Sequence, residues 1–132
     1  MKILHVGLAL LFGMSAAISA PIPAAAAPGP GGATVLTLAP AFGPLDGNWL
    51  RGELFAAPNE VVKVPYNNFP GATNTNKGAD KLNEMLHSIP GTKIVAGHSQ
   101  GAQVADAWLR RYGPTSDVDP ATVTFVDRKS VV

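Results

Sequence analysis

The chain has 132 residues, no cysteine and a formal net charge of +1. This length suits one small domain, and without cysteine the domain forms no disulfide. The sequence has no run of basic residues and no stripe of arginine and lysine interleaved with aromatic residues, so nucleic acid is not an expected partner. We also expect no cofactor and no bound metal.

The first 26 residues have the layout of a secretory signal peptide, called the leader below. Lys2 is the only charge before an apolar run at 3–14, and a later run of four alanines supplies an Ala-x-Ala cleavage site. We expect cleavage after Ala26. The alternative is an uncleaved anchor, but the apolar run is shorter than the roughly 20 residues that span a bilayer. The sequence therefore predicts a protein that is secreted or held at the cell envelope.

Strand and helix patterns alternate after the leader. Residues 27–32, rich in proline and glycine, are expected to be a flexible spacer. Apolar and β-branched runs predict strands at 33–39, 61–64, 92–96 and 121–126. Apolar residues at helical spacing predict helices at 48–57, 76–89 and 102–112. The alternation predicts an α/β fold, a parallel sheet with helices on both faces, in which the first and third strands end at the same edge.

The motif with the clearest chemical meaning is Gly97-His98-Ser99-Gln100-Gly101. A strand pattern precedes it and a helix pattern follows, which is the arrangement of a nucleophile elbow with Ser99 at its tip. Side chains two positions before and after the nucleophile would collide in this turn, and glycine avoids the collision. The alternative is a strand-to-helix turn that contains a serine by coincidence.

A serine nucleophile also needs hydrogen-bond donors for the oxyanion of its tetrahedral intermediate. The backbone N–H of Gln100 is the expected first donor. The loop at 40–47, after the first strand, is expected to supply the second donor from Ala41, Phe42 or Gly43.

The general base for the serine is not evident in the sequence. The chain contains His5, which lies in the leader, and two further histidines. His98 occupies the variable position of the motif, where its side chain is expected to point away from the site of attack. His87 is expected near the end of a helix, away from the carboxyl ends of the strands, where it interacts with the helix dipole. In the α/β-hydrolase order the histidine follows the serine, and no histidine follows Ser99 in the sequence.

Four aspartates follow the motif and are candidates for the triad acid. Asp127 directly follows the predicted fourth strand, a position that suits the acid, although a charge in a frayed tail is an alternative. Asp106 is expected on the polar side of a helix, and Asp117 and Asp119 in a loop where aspartate is a common turn residue.

With these elements placed, residues 34–126 resemble the PE-PPE domain, a serine hydrolase family of the α/β-hydrolase fold found in mycobacteria and their relatives. The resemblance is carried by the segments 34–38, 64–66, 69–71, 78–82, 97–105 and 122–126. It implies esterase or lipase-type hydrolysis of acyl esters, with Ser99 as the nucleophile.

Members of that family continue beyond the fourth strand, through the region that carries the acid and the histidine. We therefore expect residues 33–126 to be the N-terminal half of such a domain, part of an α/β-hydrolase fold, with 127–132 as an unrelated tail from a truncated or frameshifted reading frame. The first predicted function is a secreted serine esterase acting on an acyl ester or lipid, inactive or weakly active without its histidine. The alternative is a non-catalytic secreted module that binds lipid or protein. An unpaired fourth strand also predicts self-association through the sheet edge.

Overall fold

A computed structural model describes residues 27–128 of the chain. The leader with its cleavage site, and residues 129–132 of the tail, lie outside this range. The strands are β1 Thr34–Leu38, β2 Glu60–Lys63, β3 Lys93–His98 and β4 Val123–Arg128. The α-helices are α1 Ala72–Ser88 and α2 Gln100–Arg111, and short 3-10 helices occur at Trp49–Phe55, Gly113–Thr115 and Pro120–Thr122.

The four strands form one parallel sheet in the order β2-β1-β3-β4, which confirms the predicted α/β class. The chain first passes from β1 to β2, its neighbour on one side. It then crosses back over β1 to β3, its neighbour on the other side, and continues to β4 at that edge. Because such crossovers are right-handed, the 3-10 helix Trp49–Phe55 covers one face and the two α-helices share the other. The winding reverses between β1 and β3, and the carboxyl ends of these two strands form the crevice where open α/β sheets bind ligands.

The alternation of side chains along the strands divides the core between the two faces of the sheet. The larger cluster lies under α1 and α2 and contains Leu36, Leu38, Val62, Val64, Ala79, Leu82, Met85, Leu86, Val95, Val104, Ala105, Ala107 and Trp108. The smaller cluster on the opposite face is centred on Val35, Trp49 and Ala96. The α-helical face therefore carries most of the buried apolar surface.

The fourth strand lies further along the chain than the sequence pattern predicts. Residues Pro120–Thr122 form a 3-10 turn instead of the start of the strand, because the Asp119 carboxylate accepts a hydrogen bond from the Ala121 N–H at 3.0 Å. As a result β4 extends through Asp127, and the prediction that Asp127 follows the strand is wrong. The predicted tail at 127–132 accordingly begins inside β4.

Two other predicted elements differ in detail from the structure. Helix α1 begins at Ala72 instead of 76, after Gly71, whose φ of 141° marks a sharp turn into the helix. The helix predicted at 48–57 is a 3-10 segment with left-handed backbone conformations at Leu50, Arg51 and Gly52. These boundaries depend on the turn that precedes each element, and the spacing of apolar residues does not indicate where that turn ends.

The segment 27–32, which the sequence suggests is a spacer, contacts the loop before β2. The Gly29 N–H donates a hydrogen bond to the Pro58 carbonyl at 2.8 Å. A Cβ atom on Gly32 would lie 2.1 Å from the same carbonyl oxygen. Among residues 27–128, no helix has the length and apolar character required to cross a membrane.

Candidate functional site

Ser99 lies in the turn between β3 and α2, at the carboxyl edge of the sheet. Its backbone has φ 58° and ψ −114°, a combination that L residues rarely adopt and that costs about 1–3 kcal/mol. Hydrogen bonds hold this conformation on both sides: the Ser99 N–H donates to the Arg128 carbonyl at 2.8 Å, and the Ser99 carbonyl accepts from the Gln103 N–H at 3.2 Å. A strained serine between a strand and a helix is the geometry of a nucleophile elbow.

The two glycines of the motif allow β3, α2 and β1 to approach each other closely. A Cβ atom on Gly101 would lie 2.1 Å from the carbonyl oxygen of Leu38, at the end of β1. A Cβ atom on Gly97 would lie 2.7 Å from the carbonyl group of Gly101. The first turn of α2 therefore sits directly against the end of β1, so the elbow and the loop after β1 are neighbours.

The first expected oxyanion donor lies at the N-terminus of α2. Gln100 is the first residue of α2, so its backbone N–H has no partner within the helix and lies at the positive end of the helix dipole. In the loop after β1, Phe42 has a left-handed φ of 65°. The Phe42 N–H is directed at the Asn68 carbonyl, 3.4 Å away, which leaves Ala41 and Gly43 as the other candidates for the second donor.

The loop after β2 connects the elbow to the loop after β1, a contact that the sequence does not predict. The Asn68 side-chain amide donates to the carbonyls of Pro40 and Gly43 at 2.8 and 2.9 Å. The buried Gln100 side chain donates from Nε2 to the Phe69 carbonyl at 3.1 Å. These contacts join residues 25 or more positions apart, and no local pattern in the sequence indicates them.

Two exposed aromatic rings stand beside this loop. Phe42 and Phe69 are 74% and 62% exposed, and their rings meet edge to face with centroids 5.4 Å apart. Since Phe69 also contacts Gln100 through its carbonyl, the aromatic pair lies next to the elbow.

Tyr66, which follows β2, contacts the residue that directly follows β1. Its hydroxyl donates a hydrogen bond to the carbonyl of Ala39, and burial raises the pKa of the phenol to about 12. The Tyr66 ring packs on Gly78 of α1, where a Cβ atom would lie 2.9 Å from the ring. This contact packs the beginning of the loop after β2 against α1.

Neither histidine of residues 27–128 lies where it can serve Ser99. The His98 ring stacks on Trp49, with centroids 6.3 Å apart, on the sheet face opposite the α-helices. His87 lies in the last turn of α1, with Nε2 2.7 Å from Asp117 Oδ1 and Nδ1 2.7 Å from the Asn83 carbonyl. The hydrogen bond to Asn83, followed by the contact with Asp117, raises the pKa of His87.

The His87–Asp117 pair has the residue types of a catalytic dyad but lies at the wrong edge of the sheet. Helix α1 ends just before β3 begins, and Asp117 precedes β4, so the pair sits at the amino ends of the strands. Ser99 is at the carboxyl ends. The whole sheet therefore separates this pair from the elbow.

The remaining aspartates have different environments. Asp127 pairs with Gly97 in the parallel ladder, next to the elbow, and its side chain is exposed. Asp119 caps the 3-10 turn before β4. Asp106 lines an open groove of about 350 Å³ between α1 and α2, together with Gln103 and Arg110. By position, Asp127 is the aspartate nearest to the elbow in the ladder.

The described residues contain no group of three or more histidine, cysteine, aspartate or glutamate side chains that could hold a metal ion. No family model matches the chain, and neither a curated protein nor a solved structure matches it significantly.

Proposed function

We propose that this protein is a serine hydrolase that acts on acyl esters, with Ser99 as the nucleophile. The observation that supports this most strongly is the backbone of Ser99, which is strained between β3 and α2 and is flanked by two glycines that the packing requires. A structural serine has no need of such a conformation, whereas a nucleophile gains an accessible hydroxyl from it. The resemblance of residues 34–126 to the PE-PPE domain supports the same activity.

In the proposed reaction the Ser99 hydroxyl attacks the ester carbonyl, and the oxyanion accepts hydrogen bonds from Gln100 N–H and from the loop after β1. Asp127 is the proposed triad acid because it lies beside Gly97 at the carboxyl edge. The proton of Ser99 must be taken by a base, and neither His98, whose ring stacks on Trp49, nor His87, which pairs with Asp117, is placed for this role. We therefore propose weak or absent turnover for these residues alone, and export through the leader to the cell envelope or beyond.

The second candidate function is a non-catalytic module that binds lipid or protein at the same edge of the sheet. The observation that favours it is the position of the two histidine rings: the His98 ring stacks on Trp49, and His87 pairs with Asp117 at the opposite edge of the sheet. The exposed pair Phe42 and Phe69 would then form the binding surface.

A fluorophosphonate probe distinguishes the two functions, because a serine held in a nucleophile elbow beside oxyanion donors reacts with it faster than other serines, even without a positioned base. Mass spectrometry of peptides from the labelled chain should find the phosphonyl group on Ser99 and not on Ser88 or Ser116, two serines elsewhere in the described structure. Urea-unfolded protein is the control, and its serines should react equally and slowly. Equal labelling of the three serines in the folded protein would favour the non-catalytic module.

A further inference from the structure

We propose that Asn68 is a positioning residue that orients the backbone N–H of Ala41 as the second oxyanion donor; the inference rests on the proposed role of Ser99. Asn68 contacts three of the four residues at 40–43. Its side-chain amide donates to the Pro40 and Gly43 carbonyls at 2.8 and 2.9 Å, and its own carbonyl accepts from the Phe42 N–H at 3.4 Å.

Peptide planarity selects Ala41 among the three candidate donors. In a trans peptide the carbonyl of one residue and the N–H of the next point in opposite directions. The Pro40 carbonyl points at Asn68, so the Ala41 N–H in the same peptide plane points away from Asn68. The Phe42 N–H is occupied by the Asn68 carbonyl. The orientation of Ala41 is thus fixed by a hydrogen bond that Asn68 itself donates.

The loop after β1, which contains Ala41, begins beside the elbow. Asn68 follows β2, and β2 and β3 flank β1 on opposite sides in the sheet. The end of β1 therefore lies next to the end of β3, and Gly101 of α2 packs on the Leu38 carbonyl, so an Ala41 N–H that is not directed at Asn68 can face an oxyanion at Ser99. Gly43 has no comparable restraint on its N–H, because its contact with Asn68 is through its carbonyl.

The residue after Asn68 connects the same loop to the first donor. The Phe69 carbonyl accepts from Gln100 Nε2 at 3.1 Å and from Asn74 Nδ2 at 3.0 Å. The Gln100 side chain is only 4% exposed, so water competes little for this hydrogen bond. Residues 68 and 69 therefore link the backbone of Ala41 to that of Gln100, and they set the distance between the two donors.

The test replaces Asn68 with aspartate, which has the same shape but no N–H to donate, and with alanine, which removes the amide without adding charge. Asn83→Asp is the matched control, because the Asn83 side chain accepts a hydrogen bond from Trp108 Nε1 through Oδ1, and aspartate keeps that acceptor and the backbone carbonyl that His87 contacts. Circular dichroism verifies that each variant is folded.

The first measurement follows phosphonylation of Ser99 by an alkyl fluorophosphonate, whose P=O oxygen occupies the oxyanion position. Both Asn68 variants should lower the maximal rate of labelling at least 10-fold with little change in the half-saturating probe concentration, because an oxyanion donor acts mainly in the transition state. Asn83→Asp should leave both parameters unchanged. An unchanged maximal rate in folded Asn68 variants would overturn the proposal while leaving Ser99 as the nucleophile.

The second measurement, amide hydrogen exchange by NMR, is independent of the reaction. In the Asn68 variants the Ala41 amide should change its chemical shift and its exchange rate, while the amide of Val95 in the core of β3 keeps both. If Ser99 of the unmodified chain fails to react with the probe, the proposed function fails, and the exchange data still decide whether Asn68 holds Ala41. An Ala41 amide that is insensitive to both substitutions would overturn the positioning role.

Discussion

Substituting Gly101 with alanine should destabilise the protein by about 1 kcal/mol, the balance of an overpacking cost and a gain in helix propensity. The added Cβ would lie 2.1 Å from the Leu38 carbonyl oxygen and 2.7 Å from its carbonyl carbon, whereas ordinary contacts are 3.4–4 Å. Both partners are backbone, so α2 has to move away from β1 by about 1 Å or more. Overpacking of this kind costs about 1–3 kcal/mol, and the better helix propensity of alanine returns about 0.5–1 kcal/mol.

Urea unfolding followed by circular dichroism measures this change, and a thermal scan should show a Tm lower by roughly 4–8 °C, the shift that about 1 kcal/mol produces in a domain of this size. Gly113→Ala is the control, because a Cβ there meets nothing within 4 Å and its effect should stay within about 0.5 kcal/mol. If Gly101→Ala is as stable as the unmodified protein, the close approach of α2 to β1 does not exist and the account of the elbow is wrong.

Three further predictions follow from individual side chains. Ser99→Gly should be about 1 kcal/mol more stable to urea than Ser99→Ala, since glycine adopts the strained backbone at little cost, and equal stability would argue against strain. Spectrophotometric titration should show Tyr66 ionising at about pH 12. Since this pKa is raised above the unfolded value of 10.0, the stability that Tyr66 adds is present below pH 10 and is lost as the pH rises toward 12; a midpoint near 10 would contradict its burial. The raised pKa of His87 adds stability that is present below pH 6.5 and is lost as the pH rises through the folded value, and Asp117→Asn should lower that pKa in an NMR titration.

The features that the sequence predicts correctly are those that follow from short-range rules. Gly97, Ser99 and Gly101 form a pattern in which each position has a steric reason, so the turn between β3 and α2 could be located from the sequence alone. The alternation of strands and helices, with right-handed crossovers, then requires β1 and β3 to end at one edge. The same rule places the loop after β1 beside the turn that contains Ser99, as the structure shows.

The features that the sequence misses depend on competing local hydrogen bonds or on distant contacts. The cap that Asp119 provides turns Pro120–Thr122 into a 3-10 helix and moves β4 along the chain, so Asp127 lies inside the strand. Asn68 looks like any polar loop residue, because its partners Pro40 and Gly43 are far away in the sequence and have no periodic relation to it. Both effects come from single side-chain amides or carboxylates, which a hydrophobic pattern does not record.

Rescue by imidazole tests the central claim most directly, namely that Ser99 is held as a nucleophile and that its base is not among residues 27–128. The rate of fluorophosphonate labelling is measured at Ser99 with and without added imidazole, with Ser99→Ala as the control for labelling elsewhere. The account predicts slow labelling that maps to Ser99 and rises several-fold with imidazole, because a free base replaces part of what a positioned base supplies. Fast labelling that imidazole does not change would reveal a base within the chain, and labelling that does not depend on Ser99 would contradict its role as the nucleophile.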